Sequence, residues 1–278
     1  MEKGKKIYSL LGKVMVVLFL FIEIYPIFWI LMSSFKPTQE FNLTPSYALP
    51  TQLEISNYIE AWTRGNMSIY LKNSAFVTIV SLLFIVLLST TSAFALTKMR
   101  WKLRDKVLKL FLSGIMIPTA VVLIPLYNIY NKIGLLNTSM SLILTYIAFG
   151  LSLSIFLLRG YLTALPDDMI EAAIIDGASI YQIFTSIMFP LMKTGIVTVG
   201  VIQFYFRWND LIFSMTFISD TKLKTVQTGL LYFSDMYGNR NWGAIFACIS
   251  MAVLPTLVIY VMMNKMVIEG MTSGAVKG

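Results

Sequence analysis

Apolar runs of roughly 18 or more residues recur along this chain, and each is long enough to cross the ~30 Å hydrocarbon core of a bilayer as an α-helix. They fall at about 14–32, 73–96, 107–130, 138–158, 194–218 and 244–266. Inside hydrocarbon every backbone N–H and C=O must find a partner within the protein, which leaves helices or closed barrels as the only spanning structures. These runs are continuous rather than alternating, so a barrel is excluded. The expected fold class is all-α: a polytopic membrane protein with six transmembrane helices, forming one domain over residues 1–278. The composition agrees, with 57% apolar and only 13% charged residues, well outside the soluble range.

Charge placement then orients the chain. Six spans put both termini on one side, and an excess of Lys and Arg marks the cytoplasmic side. With the N-terminus inside, the inner segments (1–13, 97–109, 159–193, 265–278) hold 14 Lys and Arg, against 7 in the outer ones (35–72, 131–138, 219–243). Both termini are therefore expected in the cytoplasm. The net charge of +8 is accounted for by this topology rather than by nucleic-acid binding. Residues 1–13 followed by Val14–Met32 resemble a signal peptide, but the apolar part is too long and lacks a small-residue cleavage site, so an uncleaved first span is the better reading. Glu23 lies inside that span, where a carboxylate is expected either to pair structurally or to serve a function. Pro118 and Pro125 should bend the third span or free a backbone carbonyl.

Several chemistries are ruled out by residue type. The chain has no His and one Cys, Cys248, so His-based acid–base catalysis, His or Cys metal clusters and internal disulfides are excluded. No G-x-x-x-x-G-K-[ST] occurs, so the chain has no phosphate loop of its own. No enzymatic constellation emerges. No cofactor is expected to bind this chain.

Two polar stretches stand out. Residues 33–71 carry Pro37, Pro45 and Pro50 with the aromatics Tyr47, Tyr58, Trp62 and Tyr70; within them Ser56–Trp62 predicts a short interfacial helix capped by Ser56. The second, Leu165–Gly195, breaks the charge pattern: residues 159–193 hold two basic residues against four acidic ones. Asp167, Asp168, Glu171 and Asp176 crowd its first half. Asp168-x-x-Glu171 approximates a capping box, Gly177 supplies a left-handed corner, and Ser179-x-x-Gln182 is a second capping box. Ile180, Ile183, Phe184 and Ile187 give the second helix one apolar face, and Pro190 is expected to end it. The product is a helix–corner–helix knob, fitted either to dock in a basic groove or to rest on lipid.

The sequence Glu171-Ala172-Ala173, Asp176-Gly177-Ala178, Phe184, Pro190-Leu191 resembles the EAA loop of ABC-importer membrane subunits. The tail Glu269–Gly278, with SSFKPTQEF (Ser33–Phe41) and NYIEAW (Asn57–Trp62), looks like the smaller permease of maltose-type carbohydrate importers, so the resemblance covers nearly the whole chain. It implies a coupling role for Glu171, Ala172, Ala173, Asp176, Gly177 and Ala178 in the coupling loop 165–193. It also implies that the cytoplasmic tail 267–278, through Thr272, Ser273, Gly274 and Lys277, contacts the ATPase subunits. The implied partners are a second homologous permease, two cytoplasmic ATPase subunits that carry the ATP-Mg, and an extracytoplasmic solute-binding protein, in a bacterial cell membrane.

A third constellation lies in the fifth span. Tyr205, Arg207, Trp208, Asn209 and Asp210 combine aromatic faces with amide and charged groups, as a sugar requires. Trp208-Asn209 resembles a W-N element of sugar permeases. Arg207 and Asp210 are spaced as an i,i+3 pair, either lining a translocation path or bracing the fold. The expected function is the permease subunit of an ATP-driven carbohydrate importer working by alternating access. The alternative is a stand-alone secondary transporter or channel for a small polar solute; no internal inverted repeat supports it.

Overall fold

The computed structural model describes the backbone of residues 2–236 and 241–275, and the side chains of residues 11–231 and 241–263. Every regular element among the described residues is helical. In chain order these are α1 (Glu2–Ser33), α2 (Glu40–Leu43), α3 (Ser56–Thr63), α4 (Met67–Thr97) and α5 (Arg104–Ser113). There follow α6 (Thr119–Lys132), α7 (Ser139–Ala164), α8 (Asp168–Ile175), α9 (Ile180–Gln182) and α10 (Phe189–Leu191). The last four are α11 (Lys193–Trp208), α12 (Ile212–Phe217), α13 (Val226–Met236) and α14 (Trp242–Ala275).

Four stretches are long and apolar enough to cross a membrane as single helices: Leu11–Ser33, Met67–Thr97, Ser139–Ala164 and Trp242–Met263. Two more would cross only as bent pairs, Arg104–Met116 with Thr119–Lys132 at 102° and Ile180–Leu191 with Lys193–Trp208 at 71°. The third predicted span, 107–130, is therefore not one helix. A 3-10 turn, Gly114–Met116, tightens the end of α5, and Pro118 sits extended (φ −64°, ψ 132°) ahead of α6. Proline disfavours helical geometry in the residue before it, and Ile117 is extended accordingly. Pro125 lies inside α6 without ending it. The fifth predicted span, 194–218, is likewise divided: α11 stops at Trp208, and α12 begins at Ile212.

The chain divides into two compact units, Met1–Ser68 with Gly229–Leu254 and Ile69–Thr228 with Pro255–Gly278. In the first, no residue of the most apolar 18-residue window of α1 is buried, and Glu23 on it is exposed with no partner among the described residues. The polar segment after α1 is held by side chains. The Asn57 amide, buried on α3, donates to the carbonyls of Ser34 (3.0 Å) and Lys36 (3.1 Å), and the Tyr58 and Ser34 hydroxyls lie 2.7 Å apart. Ser56 does not cap α3: it is the first helical residue, Ile55 holds the cap position, and the Ser56 hydroxyl turns back to Glu54. Asn241 starts α14, accepting from the Ala244 amide at 3.2 Å and donating to Glu60 at 2.6 Å.

Gly243 allows Asn57 this position. A Cβ there would lie 2.4 Å from the Asn57 amide nitrogen, inside any tolerable contact. Gly243→Ala is expected to displace Asn57 and break both of its carbonyl bonds, at a cost of about 2 kcal/mol. Thermal unfolding of the purified chain checks this, and an unchanged midpoint would contradict the packing described.

Among the described residues three apolar clusters hold the second unit, the smallest around Leu96, Leu108 and Ile155, and two bear on the candidate sites. One joins Val77, Tyr130, Leu142, Tyr146, Phe213 and Phe217. The other joins Phe94 of α4, Leu158 and Leu162 of α7 and Val199 of α11 to Ala173, Ile183 and Met188 of the segment between α7 and α11. That segment is the acidic stretch singled out from sequence, and its packing decides what it can do.

Candidate functional site

The corner of the knob is closed by two local motifs in succession. Helix α8 ends in a Schellman motif: Ala178 N–H donates to the Ala173 carbonyl (2.9 Å) and Gly177 N–H to the Ile174 carbonyl (3.0 Å). Gly177 takes the left-handed position at φ +79°, where a Cβ would be strained. Ser179 then opens the next helix with a full capping box: its amide donates to Gln182 Oε1 (2.8 Å), and its hydroxyl accepts from the Gln182 amide (3.3 Å). The Asp168–Glu171 capping box does not form. Asp167 holds the cap position without a side-chain cap bond, because its carboxylate is engaged elsewhere.

That partner is Lys98, just past the end of α4. Its ammonium reaches both the Asp167 carboxylate and the Leu165 carbonyl (2.7 Å). The bond and charge of Lys98 hold the Asp167 carboxyl below the usual carboxylate range. A depressed acid contributes its stability above its unfolded pKa and loses it as pH falls through the folded one. The tie is thus complete at neutral pH and is released only in strong acid.

Pro190 does not end the second helix. α9, a π-helical turn at Ile183–Met188, and α10 run on through it to Leu191, and the bend comes at the buried Met192. Of the expected apolar face, Ile183, Phe184 and Ile187 pack inward with Met188, while Ile180 is exposed.

The signature residues divide into two roles. Ala173 is only 7% exposed and packs in the core, while Glu171, Ala172, Asp176 and Gly177 are exposed and Ala178 is half-buried. Sequence reasoning missed the apolar surface beside them: Ile175 is 85% exposed, Tyr181 79% and Ile174 59%. Helical periodicity reads such residues as core, so only their placement at the corner marks them as a contact surface. A cleft of about 400 Å³ under the knob is lined by Lys98, Arg100, Asp167, Glu171, Ile174 and Ile180, among others. The knob therefore presents carboxylates and apolar side chains together on a rigid base.

The cluster of the fifth span is rearranged relative to expectation. Arg207 and Asp210 form no direct ion pair. Tyr146 stands between them, donating to Asp210 (2.9 Å) while its ring lies 5.3 Å from the Arg207 guanidinium carbon. Asp210 also accepts from the Ser214 (3.0 Å) and Phe213 (3.4 Å) amides, closing the first turn of α12. Arg207 donates to Gln203 Oε1 (2.8 Å), and Gln203 donates to the Gly150 carbonyl (3.2 Å) and Ser154 (3.1 Å) on α7. Gln203, Arg207 and Asp210 line a cavity of about 300 Å³ with Ser152, Phe149 and Phe206, and the buried Arg207 Nε has no partner among the described residues.

Trp208 is buried, stacked on Phe204 at 5.5 Å, and lines none of this cavity. Tyr205 and Asn209 are exposed; Asn209 bonds the Tyr205 carbonyl (2.9 Å) and Gln227 (3.3 Å). Tyr146 was missed from sequence, and Gln203 was not assigned to the site. The available signal was an amide one helical turn before Arg207 and a phenol within a span-length apolar helix, α7. In the tail, Thr272, Ser273 and Gly274 continue the backbone of α14, their side chains lie outside the described residues, and Lys277 lies outside them altogether.

Comparison with known proteins gives one consistent result. Residues 85–267 match the family model described as "Binding-protein-dependent transport system inner membrane component". The chain is 33% identical to the probable ABC transporter permease protein YurM of Bacillus subtilis, across 96% of this chain and 90% of that one. It is 31% identical to the diacetylchitobiose uptake system permease protein NgcG of Streptomyces coelicolor (96% and 88% covered). The melibiose/raffinose/stachyose import permease protein MelC of Bacillus subtilis is also 31% identical (91% of each). In fold, the chain is similar to a chain in the crystal structure of a bacterial ABC transporter involved in the import of the acidic polysaccharide alginate. That likeness has a TM-score of 0.81 at 20% identity and covers 94% of this chain and 97% of that one.

Proposed function

The chain belongs to the family of binding-protein-dependent transport system inner membrane components, and on that premise we propose that it is the smaller permease subunit of an ATP-driven oligosaccharide importer. The observation that carries this reading is the knob: a corner closed by two capping motifs, exposed at its tip and packed at its base against α4, α7 and α11. A loop resting on lipid needs no such rigidity. A contact that transmits force does, because slack at its base would absorb the movement.

The knob, through Glu171, Ala172, Asp176, Gly177 and the apolar Ile174, Ile175 and Tyr181, enters a groove of a cytoplasmic ATPase subunit. Two such subunits carry the ATP-Mg. The tail residues Thr272, Ser273, Gly274 and Lys277 add a second contact to them. A second, homologous permease completes the translocation path, and an extracytoplasmic binding protein delivers the solute. Both termini face the cytoplasm of a bacterial cell, in keeping with the excess of Lys and Arg on the inner segments. Closure of the ATPase pair moves the knobs, and the helices they are packed against turn as bodies to change the side to which the path opens. The cavity at Arg207 and Asp210 lies along that path. The oligosaccharide class is supported by relatives named for diacetylchitobiose and for melibiose, raffinose and stachyose uptake.

The test is reconstitution of the chain in liposomes with a partner permease, ATPase subunits and binding protein, and a panel of di- and trisaccharides offered with and without ATP. Uptake that needs both ATP and the binding protein is expected. Uptake by this chain alone, driven by an ion gradient, would overturn the proposal.

A further inference from the structure

In the second unit, the end of α4, the start of α5, the last turns of α7 and the residue before α8 enclose a polar cavity of about 220 Å³. Thr97, Lys98, Arg104, Arg159 and Thr163 line it, with Asp105 and Asp167 at its edge. The cations are not balanced within it. Lys98, whose side chain is only 6% exposed, pairs with an Asp167 carboxylate that is 68% exposed. Arg104 uses its Nε on Asp105 (3.0 Å), itself 74% exposed, and its two terminal nitrogens have no partner among the described residues. The Arg159 guanidinium has none at all among them. The Thr97 hydroxyl is buried and likewise without a partner.

The buried Thr97 hydroxyl is costly to leave unsatisfied, and beside it the half-buried Arg159 guanidinium is open to an incoming partner. What they lack is negative charge carrying several acceptor oxygens. The planar guanidinium fork suits a tetrahedral oxyanion, which can take two parallel N–H bonds. The cavity also lies at the ends of two span-length helices, α4 and α7, and basic residues at span ends attract anionic lipid heads.

We propose that this cavity binds a phosphate group, with Arg159 as its main partner and Arg104 and the Thr97 hydroxyl completing the contact. An anionic phospholipid head and a free phosphate share this chemistry. Lys98 and Asp167 are at once walls of the cavity and the tie that holds the root of the knob, so an occupant would brace the knob from behind. That last consequence rests on the coupling role proposed above; the phosphate site itself does not.

The test uses the full chain in nanodiscs, so that it does not depend on the partner subunits. In one arm, discs contain phosphatidylglycerol or phosphatidylcholine alone, and native mass spectrometry counts the phospholipid retained on the protein after the disc is removed. In the other, phosphatidylcholine discs are titrated with inorganic phosphate, and the thermal midpoint is followed. Arg159→Gln is expected to weaken binding about tenfold, the loss of one charged hydrogen-bonded contact. Arg159→Lys keeps the charge and should lose less, which separates a lost contact from a misfolded variant. Selective retention of phosphatidylglycerol that Arg159→Gln abolishes assigns the phosphate to a lipid. A midpoint shift with inorganic phosphate that Arg159→Gln abolishes assigns it to a soluble donor. Wild type and Arg159→Gln that behave alike in both arms overturn the site. ATPase binding that survives in knob variants, with phosphate or lipid binding at the cavity intact, would locate a failure in the coupling reading instead.

Discussion

Gly177→Asp is expected to reduce ATP-driven uptake at least about tenfold, the factor that corresponds to 1.4 kcal/mol, while the spans remain inserted and the chain unfolds within a few degrees of wild type. From sequence, the corner looks too tight for a side chain. The structure places the effect elsewhere: a Cβ on Gly177 meets nothing within 4 Å. Within the chain the cost is only the left-handed backbone, φ +79°, which is about 1 kcal/mol for a residue that tolerates it as Asp does. On the coupling role proposed above, the larger cost falls on the receiving groove, where a second carboxylate beside Asp176 would have to be desolvated. Gly177→Asn matches Asp in size and backbone tolerance but lacks the charge, and should retain most of the transport. Co-purification of the ATPase subunits and sugar uptake in liposomes are the readouts. Normal uptake by Gly177→Asp would remove the corner from the contact.

Asp210→Ala should be the most destabilising single change in the second unit. Asp210 accepts the Tyr146 hydroxyl and the amides of Phe213 and Ser214. Its loss strands a buried phenol, opens the first turn of α12 and leaves Arg207 without its nearest negative charge. Unmade buried bonds and a lost cap together cost about 3 kcal/mol. Asp210→Asn keeps an acceptor oxygen and should cost less. Tyr146→Phe removes one bond within the membrane, for which about 1 kcal/mol is typical. Thermal unfolding of the three variants in one detergent gives the order Ala, Asn, Phe from worst to mildest. Wild-type stability in Asp210→Ala would mean that the cluster does not brace α7 against α12.

Much of this fold could be read from sequence, because the bilayer allows few solutions to an apolar run of this length. The corner could be read as well, since Gly177 and the Ser179–Gln182 pair encode their own geometry within a few residues. What escaped was direction. Hydropathy reports that 107–130 is apolar but not that the chain turns by 102° within it; a proline in a membrane helix is compatible with a mild kink or a full break, and neighbouring helices decide which. The Arg207–Asp210 spacing was legible, but Tyr146, some sixty residues earlier in the chain, is what separates the two. Ile174, Ile175 and Tyr181 were invisible as surface because periodicity cannot distinguish an apolar face that meets its own core from one that awaits another molecule.

One feature of the knob bears on how motion leaves it. Between the second knob helix and α11 there is no loop, only a 71° bend at Met192, which is fully buried. The twelve residues Ile180–Leu191 form an arm roughly 18 Å long, and its far end is joined to a membrane helix by a single-residue elbow. On the coupling role proposed above, such a joint would work as a crank. A sideways push on the tip cannot be taken up as slack in a linker and arrives at α11 as torque about its axis. Inserting a flexible Gly-Ser pair at Met192 would convert the crank into a tether, leaving both ends folded and the stroke between them lost.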